Sequence, residues 1–133
     1  GQGVAQDYKE ALRLFTLATQ KGLAVAQNAL GYMYEMGEGV AQNYAEALRL
    51  YKLSAAQGIA VAQFNLGKMY GSGKGVVQDY IRTHMWWNLS SANGYQYAAT
   101  GRDAISKKMT PQQIAEAQKL ARECQARNYK HCD

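Results

Sequence analysis

The segment GVAQDY at residues 3–8 returns as GVAQNY at 39–44 and as GVVQDY at 75–80, 36 residues apart each time. Laying 3–38 over 39–74 gives 21 identities in 36 positions, among them Tyr8/Tyr44, Ala11/Ala47, Leu14/Leu50, Gly22/Gly58, Leu30/Leu66, Gly31/Gly67 and Tyr34/Tyr70. Laying 39–74 over 75–110 gives only nine, most of them before Gly94. A fixed period of this length means one supersecondary unit written repeatedly, each copy burying its apolar face against the next. The decay toward the C-terminus is what the end of such a stack requires.

Each unit reads as two helices. Along NYAEALRLYKLSAAQ, residues 43–57, the apolar Tyr44, Ala47, Leu48, Leu50, Tyr51 and Ala55 recur three or four apart and share one broad helical face. Asn43 and Asp7 are suited to cap these helices, with Glu46 and Glu10 three positions on to reach back, and Gly58 and Gly22 suit the left-handed turn that closes them. The partner helix, AVAQFNLGKMY at 60–70, spaces Ala62, Leu66, Met69 and Tyr70 in the same way. Gly67 lies inside it, at a cost of about 1 kcal/mol relative to alanine, and close helix approach is the expected return. Thr110, Pro111 and Gln113 supply a cap, a first-turn proline and a capping-box partner for a last helix, whose Ile114, Ala117, Leu120, Ala121 and Cys124 fall on one face. The pattern predicts seven helices near 7–21, 24–36, 43–57, 60–71, 79–93, 96–108 and 111–127, with no strands. The expected division is a partial repeat at 1–22, repeats at 23–58 and 59–94, and a degenerate repeat with its cap at 95–133.

Composition narrows the function classes. The net charge is +5 over 133 residues, divided between 101–133, with seven Lys/Arg against four Asp/Glu, and 1–100, with eight against six. Neither part holds a cluster of five basic residues or arginines interleaved with aromatics, so nucleic acid is not an expected partner. No apolar run approaches the roughly 20 residues that a membrane-spanning helix needs, so no membrane insertion is expected. Gly1 falls inside a repeat, which reads as a fragment of a longer chain.

The pattern of Ala26, Leu30, Gly31, Tyr34, Gly37, Gly39, Val40, Tyr44, Ala47, Tyr51, Ala55 and Gly58 resembles the SEL-one-like repeat, a 36-residue relative of the tetratricopeptide repeat. MWWNLSSANG at 85–94, followed by residues 102–125, looks like the capping end of bacterial members. The resemblance implies an all-α fold, a right-handed α/α superhelical solenoid with a concave face, and a role as adaptor or scaffold. In the third unit Leu66, Gly67 and Tyr70 give way in register to Arg102, Asp103 and Ser106, which have left the core pattern.

The residues offer little catalytic chemistry. His84 and His131 are the only histidines, and no nucleophile stands at a spacing that pairs it with either. GSGKG at 71–75 lacks the strand and the spacing of a phosphate-binding loop. Cys124 and Cys132 leave three readings open: a disulfide, two free thiols, or a metal site with His131. Continuous helix would hold them about 12 Å apart, so a bond requires the helix to end and turn back. ARNY at 126–129 permits that turn through Asn128, and the disulfide is the favoured reading. It implies an oxidising compartment, for a bacterial protein the periplasm or the cell exterior. No cofactor and no metal are expected.

Function is best sought where helix positions differ between repeats while their core neighbours agree. Asn28, Phe64 and Thr100 share one such position, and Tyr32, Lys68 and Ala104 another, four residues on along the same face. Trp86 and Trp87 replace Leu50 and Tyr51 in register, so at least one is expected between helices. The expectation is a non-catalytic monomer that takes a protein or extended peptide in its groove, with Asn28, Tyr32, Phe64 and Lys68 as the partner-binding residues. The alternative is a small periplasmic hydrolase or ligand-binding enzyme acting on a β-lactam-like or cell-wall substrate.

Overall fold

The computed structural model describes residues 2–133, with side-chain surroundings from Asp7 onward. Seven helices follow one another: α1 (Gln2–Gln20), α2 (Ala24–Met36), α3 (Tyr44–Ala55), α4 (Ala60–Ser72), α5 (Tyr80–Ala92), α6 (Gln96–Ser106) and α7 (Pro111–Ala126). There is no strand among the described residues. From α1 to α6 each helix packs on the next, α2 on α3 and α4 on α5 most extensively, and α7 returns to pack on α5. This is an α/α-solenoid of helix pairs.

The expected face of α3 is the core. Ala47, Leu50, Tyr51 and Ala55 are fully buried, and Ala47, Tyr51 and Ala55 form one cluster with Ala62, Leu66, Met69 and Tyr70 of α4 and Met85, Trp86 and Leu89 of α5. At about 25 cal/mol for each Å² of apolar surface removed from water, the larger of these side chains contribute roughly 1.5–3 kcal/mol apiece. The glycines inside α2 and α4 permit this packing. A Cβ added at Gly31 would lie 2.9 Å from the Tyr51 ring, and one at Gly67 would lie 2.6 Å from Cδ1 and Nε1 of Trp87. α2 therefore seats on α3, and α4 on α5, at backbone-to-ring distance.

Polar pins repeat with the same 36-residue register. The Ser54 hydroxyl donates to the Ala24 carbonyl and that of Ser90 to Ala60, both at 2.7 Å. Gln57 Nε2 donates to Gln27 Oε1 at 2.7 Å, and Asn93 Nδ2 to Gln63 Oε1 at 3.0 Å. Buried polar groups are tolerated when satisfied, and each pin matches a donor on the second helix of one pair, or just past its end, to an acceptor on the first.

The expected caps form at α3 and α7 and not at α1, and Asp79 caps α5 in addition. Asn43, Asp79 and Thr110 each accept from the backbone N–H three residues on, and Thr110 with Gln113 forms a complete capping box. Asp7 is not a cap: α1 runs through it from Gln2. At the two later copies the pre-helical segment is tied to the helix before it, Asn43 N–H to Tyr34 O and Asp79 N–H to Tyr70 O, both at 2.9 Å. Glu10 and Glu46 do not reach back to a cap either; they pair with Arg13 and Arg49. Leu14 and Leu17 of α1 are about half exposed, whereas Leu50, the counterpart of Leu14, is buried.

α7 covers the end of the stack with Ala117, Ala121 and Cys124. Beyond it Asn128, Tyr129 and His131 take positive φ of 55°, 65° and 56°, and the chain folds back so that Cys132 bonds Cys124 with their Cα atoms 5.2 Å apart. The bond consumes both sulfurs, which removes the free-thiol reading and the metal site with His131. Left-handed backbone costs an L-residue about 1–2 kcal/mol, and only Asn128 is of a type that visits it readily.

Candidate functional site

α2 and α4 turn the same edge to one side of the stack. Residues 28 and 32 on α2, and 64 and 68 on α4, stand four apart and share a helical face, while Leu30 and Leu66 point into the core. Asn28, Tyr32, Phe64 and Lys68 line one cleft of about 520 Å³, closed at its sides by Tyr8 and Phe15 of α1 and by Tyr95 at the start of α6. Thr100 and Ala104, which share their register on α6, are exposed and do not line it.

Phe64 is the most firmly placed of the four. The Trp87 indole N–H donates to its carbonyl at 2.9 Å, and the two rings stack with centroids 5.2 Å apart. Tyr95 packs tilted against the Phe64 ring at 4.8 Å, Tyr97 stands edge-on to Tyr95 at 5.6 Å, and Lys68 Nζ lies 5.9 Å from the centroid of the Phe64 ring. Aromatic pairs in this range are worth about 0.5–1.5 kcal/mol beyond the area they bury, so the ring is preorganised. Asn28 is oriented as well, because its side-chain oxygen accepts from Asn65 Nδ2 at 3.0 Å across the helices. Its amide remains as a donor. Tyr32 is 45% exposed and has no such restraint among these contacts.

Charge is placed at two points. Lys68 is exposed beside the aromatic group, and Glu38 accepts from the Tyr8 hydroxyl at 3.2 Å. That hydrogen bond, and then the carboxylate's charge, raises the pKa of Tyr8. The described lining includes no serine, cysteine or histidine.

Of the tryptophans, Trp86 is core and Trp87 forms the wall behind Phe64. His84 is buried and its Nδ1 has no partner; burial first and Arg102 second lower its pKa. Asn65 and Tyr95 were missed by the sequence reading, although the signal existed. Positions 29, 65 and 101 read Ala, Asn and Gly, and positions 23, 59 and 95 read Leu, Ile and Tyr, so both vary between repeats.

Stacked helix pairs with a cleft across their first helices define a helical repeat protein of the solenoid class. The family model for the Sel1 repeat matches residues 1–23, 24–59 and 60–95, and the chain belongs to that family. Among solved structures it is similar to c5321, described as a protective antigen present in uropathogenic Escherichia coli strains and displaying an SLR fold, with a TM-score of 0.87 and 30% identity over 93% of this chain. A Sel1 repeat protein from Oxalobacter formigenes aligns over 78% of this chain with a TM-score of 0.72 and 29% identity. The chain spans 27% and 43% of those two proteins. No curated protein matches it significantly. Sel1 repeats commonly serve as protein-interaction scaffolds and are typically non-catalytic.

Proposed function

We propose that this protein is a non-catalytic scaffold that holds an extended peptide segment of a partner protein in the cleft between α1, α2, α4 and the start of α6. The supporting observation is that four side chains chosen from repeat divergence, Asn28, Tyr32, Phe64 and Lys68, line a single cleft. A preorganised aromatic ring suits an apolar side chain of the ligand. The free donors of Asn28 suit its backbone carbonyls, and Lys68 suits an acidic residue. The domain acts as a monomer divided at 1–22, 23–58, 59–94 and 95–133. It works in an oxidising compartment, the bacterial periplasm or the cell exterior, because the Cys124–Cys132 bond persists in such surroundings. No helix is long and apolar enough to cross a membrane. The hydrolase alternative gains no support from the cleft, whose described lining lacks a nucleophile and base in contact.

A displayed random peptide library tests the reading. Selection on the wild-type domain should enrich peptides pairing an apolar with an acidic residue, and the same selection on the folded Y32A/F64A variant should enrich none of them. Equal enrichment on both would remove the groove assignment.

A further inference from the structure

The second helices of the pairs carry a site of their own, away from the cleft. Trp86 Nε1 donates to Asp133 Oδ1 at 3.2 Å, Lys52 Nζ lies 3.7 Å from Oδ2, and Arg82 Nε lies 4.0 Å from Oδ1. Lys52 belongs to α3, and Trp86 and Arg82 to α5, so the donors are fixed to the stack. The acceptor belongs to the tail. Beside it a hollow of about 180 Å³ is bounded by Lys52, Ala56 and Trp86 on the helices and by tail residues on the other side. Arg82 is shared with Asp79 at 2.8 Å, and the Tyr70 hydroxyl faces the same carboxylate and is held above its usual pKa by burial and then by Asp133.

We propose that α3 and α5 form a carboxylate-binding site, occupied in cis by Asp133 and latched by the Cys124–Cys132 bond, which on reduction accepts an aspartate-bearing segment of another protein. Partly exposed ion pairs hold little by themselves, so occupancy in cis rests on the tether. A short covalent loop keeps the tail's effective concentration near the site high. Two of the tail's left-handed residues, Tyr129 and His131, oppose that placement, and opening the bond lets them relax. Its other contacts with the stack are two hydrogen bonds, Lys130 Nζ to Ala56 O at 2.8 Å and Tyr129 Oη to Asn93 Oδ1 at 3.1 Å, and the partly buried Tyr129 ring and Cys132 against the core.

The reductant is an external dithiol. Cys124 is buried and Cys132 is partly exposed, so the incoming thiolate attacks Cys132 Sγ. The S–S bond breaks, and Cys124 leaves as a thiolate and takes a proton. The second thiol of the reductant then displaces Cys132 as a thiol and closes its own disulfide, so that two electrons have passed to the protein.

The test follows the Trp86 indole N–H resonance in the ¹⁵N-labelled chain, with oxidised D133A marking the position of the vacant site. Reduction of wild type should move the resonance to that position, and the C132S variant should show it there without reductant. A synthetic peptide of residues 128–133 carrying C132S should return the resonance in the reduced chain, should leave the oxidised chain unaffected, and should bind K52A/R82A about tenfold or more weakly. The proposal fails if the resonance stays in place on reduction or in D133A. It fails equally if millimolar peptide has no effect on the reduced chain, or if reduction abolishes the helical circular-dichroism signal.

Discussion

The Trp87 indole holds Phe64 twice, donating its N–H to the Phe64 carbonyl at 2.9 Å and stacking on the Phe64 ring with centroids 5.2 Å apart. One residue of α5 thereby fixes both the backbone and the side chain of a cleft residue on α4. W87F keeps a six-membered ring for stacking and deletes the donor together with the five-membered ring that carries it. It should lower stability by about 0.5–1.5 kcal/mol, the usual net value of one hydrogen bond, as read from urea unfolding. A larger loss than that would mean the indole's bulk, rather than its N–H, sets the helix spacing.

The same indole makes Gly67 the tightest point described between the helices. G67A places a Cβ 2.6 Å from Trp87 and G67L adds a branched side chain, so overpacking should cost about 1–3 kcal/mol, with leucine the worse. K68L, one residue on at an exposed position, should stay within about 0.5 kcal/mol of wild type. Thermal melting of the three variants checks the order.

The serine pins predict equal penalties at equivalent sites. S54A and S90A each leave a part-buried carbonyl, Ala24 O or Ala60 O, without its side-chain donor, and each should cost about 1 kcal/mol. Because the pins belong to different helix pairs, the double variant should be near the sum. Chemical denaturation of the three chains measures it.

Stability should fall as pH drops through the ordinary histidine range. Burial and Arg102 depress the pKa of His84 in the folded chain, with Asp103 opposing weakly. The unfolded chain therefore takes the proton first, near pH 6.5, and the folded state loses ground from there down to the depressed folded value. Above the unfolded value this contribution is fully retained. Urea midpoints between pH 8 and 5 should show the decline, and H84Q should flatten it.

The end cap offers a separate check. T110A removes the oxygen that accepts from Gln113 N–H at 3.1 Å and should cost about 0.5–2 kcal/mol. Its loss should appear as faster amide exchange in the first turn of α7.

What could be read in advance was whatever the repeat writes twice. Leu30/Leu66 and Gly31/Gly67 declare the core and its close approaches, because packing against an identical neighbour demands identical residues. The placement of Asn28 and Phe64 in one cleft followed from their shared register. The Asn65–Asn28 contact did not, since it joins position 65 of one unit to position 28 of another and depends on the offset between α4 and α2. The start of α1 was misjudged for a related reason. Asp7 resembles Asn43 in sequence, but the cap at Asn43 is held by Tyr34 of the preceding helix, a partner the local letters do not contain. Nor did periodicity reveal the tail's return onto Lys52 and Trp86, which relies on left-handed turns at Tyr129 and His131.

The serine pins at Ala24 and Ala60 have a consequence for how such a molecule can change over time. They fix the two helices of each pair against one another through backbone carbonyls, which any residue supplies, and they make no use of positions 28, 32, 64 or 68. Duplicating residues 39–74 would therefore lengthen the cleft by one step without disturbing the steps already there. Substitution at the four cleft positions would alter what each step reads without altering its length. The fold thus behaves as a ruler whose graduations are inherited and whose inscriptions are free to drift.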